Sequence, residues 1–251
     1  MKADLCIVAT RRPDLLVRML DSFGRHVFPK IEIDRVFANV DPVFGNAENQ
    51  AAAVSIIKGY FPTATIFEPE TPGFCAAVIR LWQATAADYV LHTEEDWYAP
   101  ADVGDFTAPF LDYPRLAQVQ FHMDFQQEPV GLRAKYKRRS KSLPFLKRRT
   151  RHIDTSPGLM KGEFVRGCAN LMNPLLDPER QFCGNLNGPL EKYAMGFDGY
   201  VHGDHGGARV LQDTGREWLR QRGIKKQIVD GAVSWNESVP PALQGAAGKL
   251  Q

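Results

Sequence analysis

The sequence predicts an α/β protein in which a mostly parallel central sheet is flanked by helices in a single domain. Three observations lead to this fold class. Apolar segments of strand length alternate with segments of helical periodicity four times before residue 95, and Gly or Pro separates most of them. Four successive β/α units favour parallel strands. The chain has 251 residues, 44% hydrophobic and 24% charged, which suffices for one large core.

The first two β/α units follow from simple patterns. "DLCIVAT" has the composition of a buried strand, and Pro13 then opens a helix that Gly24 is expected to end. The apolar residues of this helix share one face: Leu15, Leu16, Met19, Leu20 and Phe23. "IDRVFANVD" predicts a second strand that ends at Asp41, and an Ala-rich helix is expected from Ala47 to Tyr60.

The following segments continue the alternation and then become less regular. "ATIFEP" predicts a third strand, and "TPGFCAAVIRLWQATAAD" predicts a helix that places Trp82 in the core and leads into the strand "YVLHT". Beyond residue 100, "LAQVQFHMD" and "EFVRGCANLMNP" predict two further strands, whereas "GPLEKYAMGF" and "GREWLRQRGIKK" predict short helices. The tail from Asn236 is rich in Gly, Ala and Pro, so we expect it to be poorly ordered.

Charge is segregated along the chain. The formal net charge is +2, yet residues 133–151 hold ten Lys and Arg and no acid. No run approaches the roughly 18 apolar residues of a membrane span, and the N-terminus lacks the pattern of a secretory signal, so we expect a cytosolic protein. No C-x-x-C pair occurs among the cysteines, which predicts reduced thiols in place of disulfides or zinc: Cys6, Cys75, Cys168 and Cys183.

Three adjacent acids end the fourth strand, in "YVLHTEEDWYAP". Glu94, Glu95 and Asp96 would repel one another unless a positive charge lies between them. In open α/β sheets, ligands bind at the carboxyl ends of the strands, where Thr10 and Asp41 also fall. Hard cations such as Mn²⁺ and Mg²⁺ are held by carboxylates together with a substrate's phosphates. The cluster therefore predicts a divalent metal site, with a solvated acidic turn as the alternative.

These residues carry a resemblance to a known family. "CIVATRRPDLLVRMLDSF", "GFCAAVIRLWQ" and "ATAADYVLHTEEDW" resemble the GT-A fold glycosyltransferases that use nucleotide sugars, close to family 2. The resemblance implies a Rossmann-like fold and a DxD-like motif in which Asp96 is a metal ligand and Glu94 and Glu95 help to bind the donor. It further implies that Thr10 and Arg12 contact the nucleoside.

The remaining donor contacts follow from the same resemblance. Asp41 matches the acid that binds the base or ribose, with a turn-forming Asp before Pro42 as the alternative. A histidine of "HGDHGGAR" would be a further metal ligand, and we favour His205 over His202 because Arg209 then lies where it meets phosphate oxygens.

A catalytic base is also implied. Glu191, in "NGPLEKYAM", occupies the region where these enzymes carry the carboxylate that takes a proton from the acceptor hydroxyl, and Asp198 and Asp204 are its rivals. An exposed Glu in the first turn of a helix is the alternative interpretation. Trp97 follows the acids in an expected loop, where it would stack on a sugar or cover the edge of the sheet.

The predicted function is a metal-dependent glycosyltransferase that moves a sugar from a nucleoside-diphosphate sugar to a glycan or lipid-linked acceptor with inversion. We expect one domain over residues 1–235, with a donor-binding half (1–100) and an acceptor-side half (101–235). The basic segment would dock an anionic acceptor or contact the inner face of a membrane, unless it is a solvated loop. A nucleotidyltransferase, a metallohydrolase and a nucleic-acid-binding protein are the alternatives. Nucleic acid is disfavoured because only two aromatics, Tyr136 and Phe145, are interleaved with the basic residues.

Overall fold

The fold is built on one eight-stranded sheet. The computed structural model describes residues 1–124, 126, 128–133, 135–138, 147–149, 152–183, 185–203, 209–229 and 232–237. Its strands, in chain order, are β1 (Lys2–Ala9), β2 (Glu32–Val40), β3 (Thr65–Phe67), β4 (Tyr89–Glu94), β5 (Trp97–Tyr98), β6 (Leu116–Phe121), β7 (Gly131–Leu132), β8 (Tyr136–Arg138), β9 (Lys147–Arg149), β10 (Gly158–Lys161), β11 (Asp198–His202), β12 (Gln212–Asp213), β13 (Ile224–Val229) and β14 (Ala232–Glu237). The main sheet has the order β3-β2-β1-β4-β10-β6-β11-β7, and three two-stranded pairs accompany it.

Most strands of the main sheet are parallel. Strands β3, β2, β1 and β4 are parallel neighbours, and β6 and β11 are also parallel to each other. Strand β10 runs antiparallel between β4 and β6, and β7 runs antiparallel at the edge beside β11. The predicted α/β class with a mostly parallel sheet is confirmed.

Helices cover both faces of the sheet. They are α1 (Pro13–His26), α2 (Ala47–Tyr60), α3 (Phe74–Ala84), α4 (Pro109–Asp112), α5 (Gly162–Ala169), α6 (Gly188–Ala194) and α7 (Gly215–Gln221). Buried side chains of α1 and α2 pack on one face, and those of α3, α5 and α6 pack on the other. The two apolar clusters hold the strands in position. They therefore also position the residues that follow the strand ends.

The predicted N-terminal helices are confirmed with small changes. Helix α1 begins at Pro13 and buries the predicted apolar face, although it continues past Gly24 to His26. Helix α2 has the predicted bounds because Asn46 and Asn49 form a reciprocal capping box at its start.

One predicted strand is wrong. The segment "EFVRGCANLMNP" forms helix α5, and the strand that returns to the sheet is the preceding β10. Phe164, Val165 and Cys168 are buried together, and their spacing is helical. Gly162 marks the transition, since a Cβ at this position would lie 2.1 Å from the carbonyl oxygen of Ala87.

The two tryptophans near the acidic cluster are both in the core. Trp82 is fully buried on α3, as predicted. Trp97 was expected in an exposed loop, but it belongs to β5, pairs with Asp213 of β12 and is only 7% exposed. The short β5–β12 pair folds this residue back onto the apolar cluster, so stacking of Trp97 on a sugar is not supported.

Several other expectations concern the second half of the chain. The short helices α6 and α7 are confirmed. Most of the basic segment and residues 238–251 of the tail lie outside the described residues, whereas β14 extends to Glu237. All four cysteines are free, as predicted, and three of them are buried. In the described part of the chain, no helix is both long and apolar enough to cross a membrane.

His92 in β4 makes stability depend on pH. Trp82 Nε1 donates a hydrogen bond to His92 Nδ1 over 3.2 Å, and complete burial lowers the pKa of His92 to about 4. The unfolded chain therefore binds a proton that the folded state excludes as pH falls below about 6.5. We expect the free energy of unfolding to lose up to about 3 kcal/mol from this group between pH 6.5 and 4.

Chemical denaturation across this pH range measures the effect. His92→Gln should have a flatter profile than the wild type, whereas His26→Gln, which changes a half-buried residue of α1, should retain the wild-type slope. Parallel profiles for wild type and His92→Gln would contradict the expectation.

Candidate active site

The predicted site residues that follow β1, β2 and β4 meet at one edge of the sheet. Thr10 and Arg12 come directly after β1, Asp41 follows β2, and Glu95 and Asp96 follow β4. Because β2, β1 and β4 are adjacent and parallel, their carboxyl ends lie side by side. The structure therefore brings together the residues assigned to donor binding in the first half of the chain.

Glu95 is held by protein groups on both carboxylate oxygens. Its side chain is 1% exposed. The backbone N–H of Thr10 donates to Oε2, the Thr10 hydroxyl donates to Oε1, and Arg12 Nε donates to Oε1 over 2.6 Å. Glu95 thus links the end of β1 to the end of β4.

Arg12 supplies the positive charge that the acidic cluster requires. Its Nη2 donates to Asp96 Oδ2 over 3.1 Å in addition to the bond with Glu95, and its guanidinium lies 5.0 Å from the ring centroid of Phe44 and 5.4 Å from that of Trp218. Burial opposes the charge on Arg12, but the charges of Glu95 and Asp96 outweigh it and raise the pKa of the guanidinium.

The sequence assigned this counter-charge to a metal ion, and the structure adds a positive charge from Arg12 between Glu95 and Asp96. The acids tolerate one another because an arginine of the same chain lies between two of them, in a charge-assisted arrangement that aromatic rings enclose. Arg12 is 6% exposed, so its side chain positions the acids and presents little surface to a nucleoside.

Asp96 reaches the surface more than Glu95. Its side chain is 19% exposed. The N–H and hydroxyl of Thr214 donate to its backbone oxygen over 2.9 and 2.7 Å. Gly215 leaves room for the carboxylate, because a Cβ at this position would lie 2.1 Å from Asp96 Oδ2. The start of α7 therefore holds the backbone of Asp96 and borders its carboxylate.

The described residues fit a divalent ion at a single carboxylate. No hydrogen bond from a described residue reaches Asp96 Oδ1, whereas both oxygens of Glu95 are occupied. Within the described ranges, no group of three His, Cys, Asp or Glu side chains is placed to hold a metal. A hard cation held by one protein carboxylate and completed by a substrate's phosphates agrees with this donor set. The predicted second ligand, His205, lies outside the described residues.

Asp41 connects the end of β2 to the start of α3. It is 4% exposed; Asn39 Nδ2 donates to Oδ1 over 2.7 Å, and the N–H of Gly73 donates to Oδ2 over 2.9 Å. Arg80 donates to the Oδ1 atom of Asn39, so this arginine supports the Asp41 carboxylate. The interactions organise the edge beside Thr10. Whether Asp41 also binds a base or ribose stays a prediction.

Glu191 lies in the first turn of α6 and is buried. It is 2% exposed, and its Oε1 accepts a hydrogen bond from the N–H of Asn185 over 2.7 Å. The N-cap residue Asn187 bonds Gln181, which bonds Cys75 in the first turn of α3. Glu191 therefore sits toward the same edge of the sheet as Asp96. The alternative of an exposed Glu in a first turn is wrong.

Of the two rivals of Glu191, Asp198 is far from Asp96 and Asp204 stays a prediction. Asp198 begins β11, opposite the first residue of β6, and β11 and β6 are parallel. It therefore lies at the amino edge, away from Asp96, where it pairs with Lys135 over 2.7 Å. Asp204 lies outside the described residues.

The remaining predicted residues have different environments. His202 Nε2 contacts the backbone oxygen of Val103 at 2.6 Å, and its ring packs against Phe106 and Phe121 in the core. The His202 ring is therefore part of the core packing. Arg209 is exposed, and Glu94 is half-buried at the end of β4.

Arg133, the first residue of the basic segment, is held by side chains of the folded acceptor side. Its side chain is 5% exposed and bonds Glu128 over 2.8 Å, Asp154 over 3.1 Å and Gln120 over 2.7 Å. The alternative of a solvated loop therefore does not hold for this first residue.

Sequence reasoning missed two acids beside Asp96. Burial raises the pKa of Asp213, and the charges of Asp96 and Asp124 raise it further, so the three carboxylates lie close together. Asp124 follows the end of β6, and the rule that selected Asp41 at a strand end would also have selected it. No local signal marks Asp213, because β12 has only two residues.

Solved structures share this fold. The sequence matches no protein-family model and no curated protein. The crystal structure of S. aureus TarS 1–349 matches this chain at 14% identity with a TM-score of 0.57, and the match covers 88% of this chain and 63% of the TarS chain. The mannosyltransferase PcManGT from Pyrobaculum calidifontis, solved with GDP-Man and Mn²⁺, matches at 14% identity with a TM-score of 0.55, covering 88% and 60%.

A longer TarS structure extends the comparison. It matches at 13% identity with a TM-score of 0.54, and the chain spans 37% of its length. TarS 1–349 has also been solved with UDP and with UDP-GlcNAc. The chain therefore has a GT-A type fold, and it spans less than two thirds of the length of each of these structures.

Proposed function

We propose that this chain transfers a sugar from a nucleoside-diphosphate sugar to a hydroxyl of a glycan or lipid-linked acceptor, with inversion at the anomeric carbon. One observation carries the proposal. Thr10 and Arg12, which follow β1, hold Glu95, and Arg12 orients Asp96. These residues lie at the carboxyl edge of the sheet of a GT-A type fold, where open α/β sheets bind ligands. An oriented and partly exposed carboxylate beside an arginine is a suitable place for a diphosphate and its counter-ion.

The donor half of the site extends from β2 to β4. In this proposal Asp41 and Thr10 lie beside the nucleoside, while Glu94 and Asp96 lie beside the diphosphate. Arg209, which is exposed, would meet phosphate oxygens. Arg12 and Glu95 act as positioning residues, since both are buried and each is bonded to the other. Residues 1–100 then form the donor-binding half, and residues 101–235 form the acceptor side.

A divalent ion belongs to the proposal through Asp96. A bound Mn²⁺ or Mg²⁺ would neutralise charge on the departing diphosphate. Asp96 would hold it, with the Arg12 bond keeping one oxygen in place and leaving Oδ1 for the ion. His205 remains the proposed second ligand.

Glu191 is the proposed base for the acceptor hydroxyl. The Asn185 N–H fixes one carboxylate oxygen, which orients the group. The basic segment that follows Arg133 would dock an anionic acceptor, either on a phosphate-bearing glycan or at a membrane surface, since clustered Lys and Arg attract both.

Thermal stabilisation by nucleotide sugars tests the function. UDP-GlcNAc, GDP-mannose and dTDP-glucose are each added with and without Mn²⁺. We expect one of them to raise the melting temperature by about 5–10 °C at about 100 times its Kd, because a ligand that binds only the folded state stabilises it by mass action. Adenosine and inorganic phosphate are the controls. If no nucleotide sugar shifts the transition, the proposal is wrong; a shift that does not need Mn²⁺ would remove the metal from it.

A further inference from the structure

Unpaired polar groups are concentrated at the end of β6. Among the described residues, five buried side-chain atoms without a hydrogen-bond partner belong to four neighbouring side chains: Gln120 Nε2, His122 Nδ1, His122 Nε2, Asp124 Oδ1 and Thr155 Oγ1. Gln120 and Thr155 are fully buried, and His122 is 7% exposed. Native proteins pair nearly all such groups, so a cluster of this kind indicates a partner other than the described residues.

These four residues lie at the carboxyl end of β6 and just before the start of β10. Gln120 is the fifth residue of β6 and faces Gly158 of β10, and Thr155 comes three residues before Gly158. His122 continues the alternation of Gln120 just beyond the strand, since alternate residues of an extended chain point the same way, and Asp124 follows in a turn. His92 Nε2 is also unpaired, but its ring is enclosed by Trp82 in the core.

Neighbouring ion pairs hold the unpaired groups in place. Arg133 Nη1 donates to Gln120 Oε1 over 2.7 Å, so the amide nitrogen of Gln120 is the end that lacks a partner. Arg133 is fixed in turn by Asp154 and Glu128. Asp154 also accepts the N–H of Ser156 over 3.0 Å, which fixes the backbone on both sides of Thr155. Gln120 and the backbone around Thr155 are therefore held in place by contacts within the protein.

The chemistry of the set favours a ligand rich in hydroxyl groups. Gln120 offers a donor, Asp124 offers an acceptor, and His122 and Thr155 each offer both. A hydroxyl donates and accepts at once, so a ring with several hydroxyls can satisfy all four residues. A fully ionised phosphate has no proton for Asp124, and an apolar ligand would leave every group unpaired.

The set also lies next to the proposed diphosphate site. The charges of Asp124 and Asp96 both act on Asp213, whose strand β12 pairs with β5 directly after the acidic motif. In the sheet, β6 is separated from β4 by β10 alone, and β1 and β2 lie on the other side of β4. A ligand that runs from β2 past Asp96 therefore ends over β6.

We propose that Gln120, His122, Asp124 and Thr155 form a subsite that binds the hydroxyls of a sugar ring. This inference rests on the proposed function and adds to it the residues that select a sugar. The ring belongs to the donor or to the acceptor, and the two sources give different results in the experiment below.

Thr155→Val and His122→Phe test the subsite, because each removes hydrogen-bonding groups with little change in size. The first arm compares the affinity of a nucleoside diphosphate with that of its nucleotide sugar, using UDP with UDP-GlcNAc or GDP with GDP-mannose. If the subsite binds the donor, each variant should bind the nucleotide sugar about three- to tenfold more weakly, while affinity for the nucleoside diphosphate is unchanged. The second arm measures the KM of an accepted glycan, which should rise by a similar factor if the subsite binds the acceptor.

Two further measurements separate a ligand site from a structural one. Without ligand, Thr155→Val should melt at or above the wild-type temperature, because its hydroxyl has no partner to lose. Thr65→Val, an exposed change on β3, is the matched control and should alter neither arm. Variants that leave nucleotide-sugar affinity and acceptor KM unchanged would show that only water occupies the groups and would overturn the inference, with the proposed function intact. A wild type that binds no nucleotide would overturn both.

Discussion

Arg12→Met is expected to lower the free energy of unfolding by about 3–5 kcal/mol, the largest stability effect we predict, because it leaves a buried charge without a partner. Glu95 is 1% exposed, and Arg12 is its only cationic partner among the described residues. The substitution also removes the bond to Asp96 and the contacts with the rings of Phe44 and Trp218. Denaturant unfolding of wild type and variant measures the difference.

A matched control lies on helix α1, which begins directly after Arg12. Arg18 is exposed and its guanidinium lies 4.5 Å from the ring centroid of Tyr98, so Arg18→Met keeps the chemistry of the change but should cost less than about 1 kcal/mol. Adding Glu95→Gln to Arg12→Met should recover part of the loss, since the double variant no longer contains a buried unpaired carboxylate. Equal costs for Arg12→Met and Arg18→Met would mean that the buried ion pair does not stabilise the fold.

Asp96→Asn should lower turnover about 100-fold or more while the fold persists, because a preorganised charge beside a developing charge is typically worth about two orders of magnitude. Asparagine keeps an oxygen that accepts from Arg12, so the free energy of unfolding should change by less than about 1 kcal/mol. The readouts are sugar transfer under saturating donor and thermal unfolding. Any increase that Mn²⁺ gives to nucleotide-sugar stabilisation in the wild type should disappear in the variant.

Asp102→Asn provides the comparison. Asp102 is 58% exposed and pairs with Lys30, so the same change of charge and shape is made at the surface and away from Asp96. It should leave transfer and stability near the wild-type values. A fully active Asp96→Asn enzyme would refute the proposed role of this carboxylate even if Asp102→Asn behaves as expected.

The elements of the first half could be predicted from the sequence because their patterns are local. The apolar face of α1 is visible in the spacing from Leu15 to Phe23, and the Ala-rich composition from Ala47 to Tyr60 indicates α2. Helix α5 could not be predicted as reliably, since its short apolar run suits a strand or a helix and the choice depends on packing against α3.

The candidate site was predicted in part for the same reason. Strand-end positions identified Thr10, Asp41 and Asp96, because the ends of parallel strands meet at one edge. The environment of each side chain was not predictable: Trp97 is buried by the β5–β12 pair, and His202 packs in the core. The unpaired groups of Gln120 and His122 become visible only when every possible partner has a position in space.

The sequence alone determined the order of β/α units and the acidic ending of β4, since periodicity and residue type act over a few positions along the chain. The tertiary structure decided what neutralises that ending. Arg12 and Glu95 are 83 residues apart, and they meet because hydrogen bonding makes β1 and β4 neighbours. Strand order depends on the packing of the whole core, so the partner of a charge at a strand end is a long-range property that no local pattern contains.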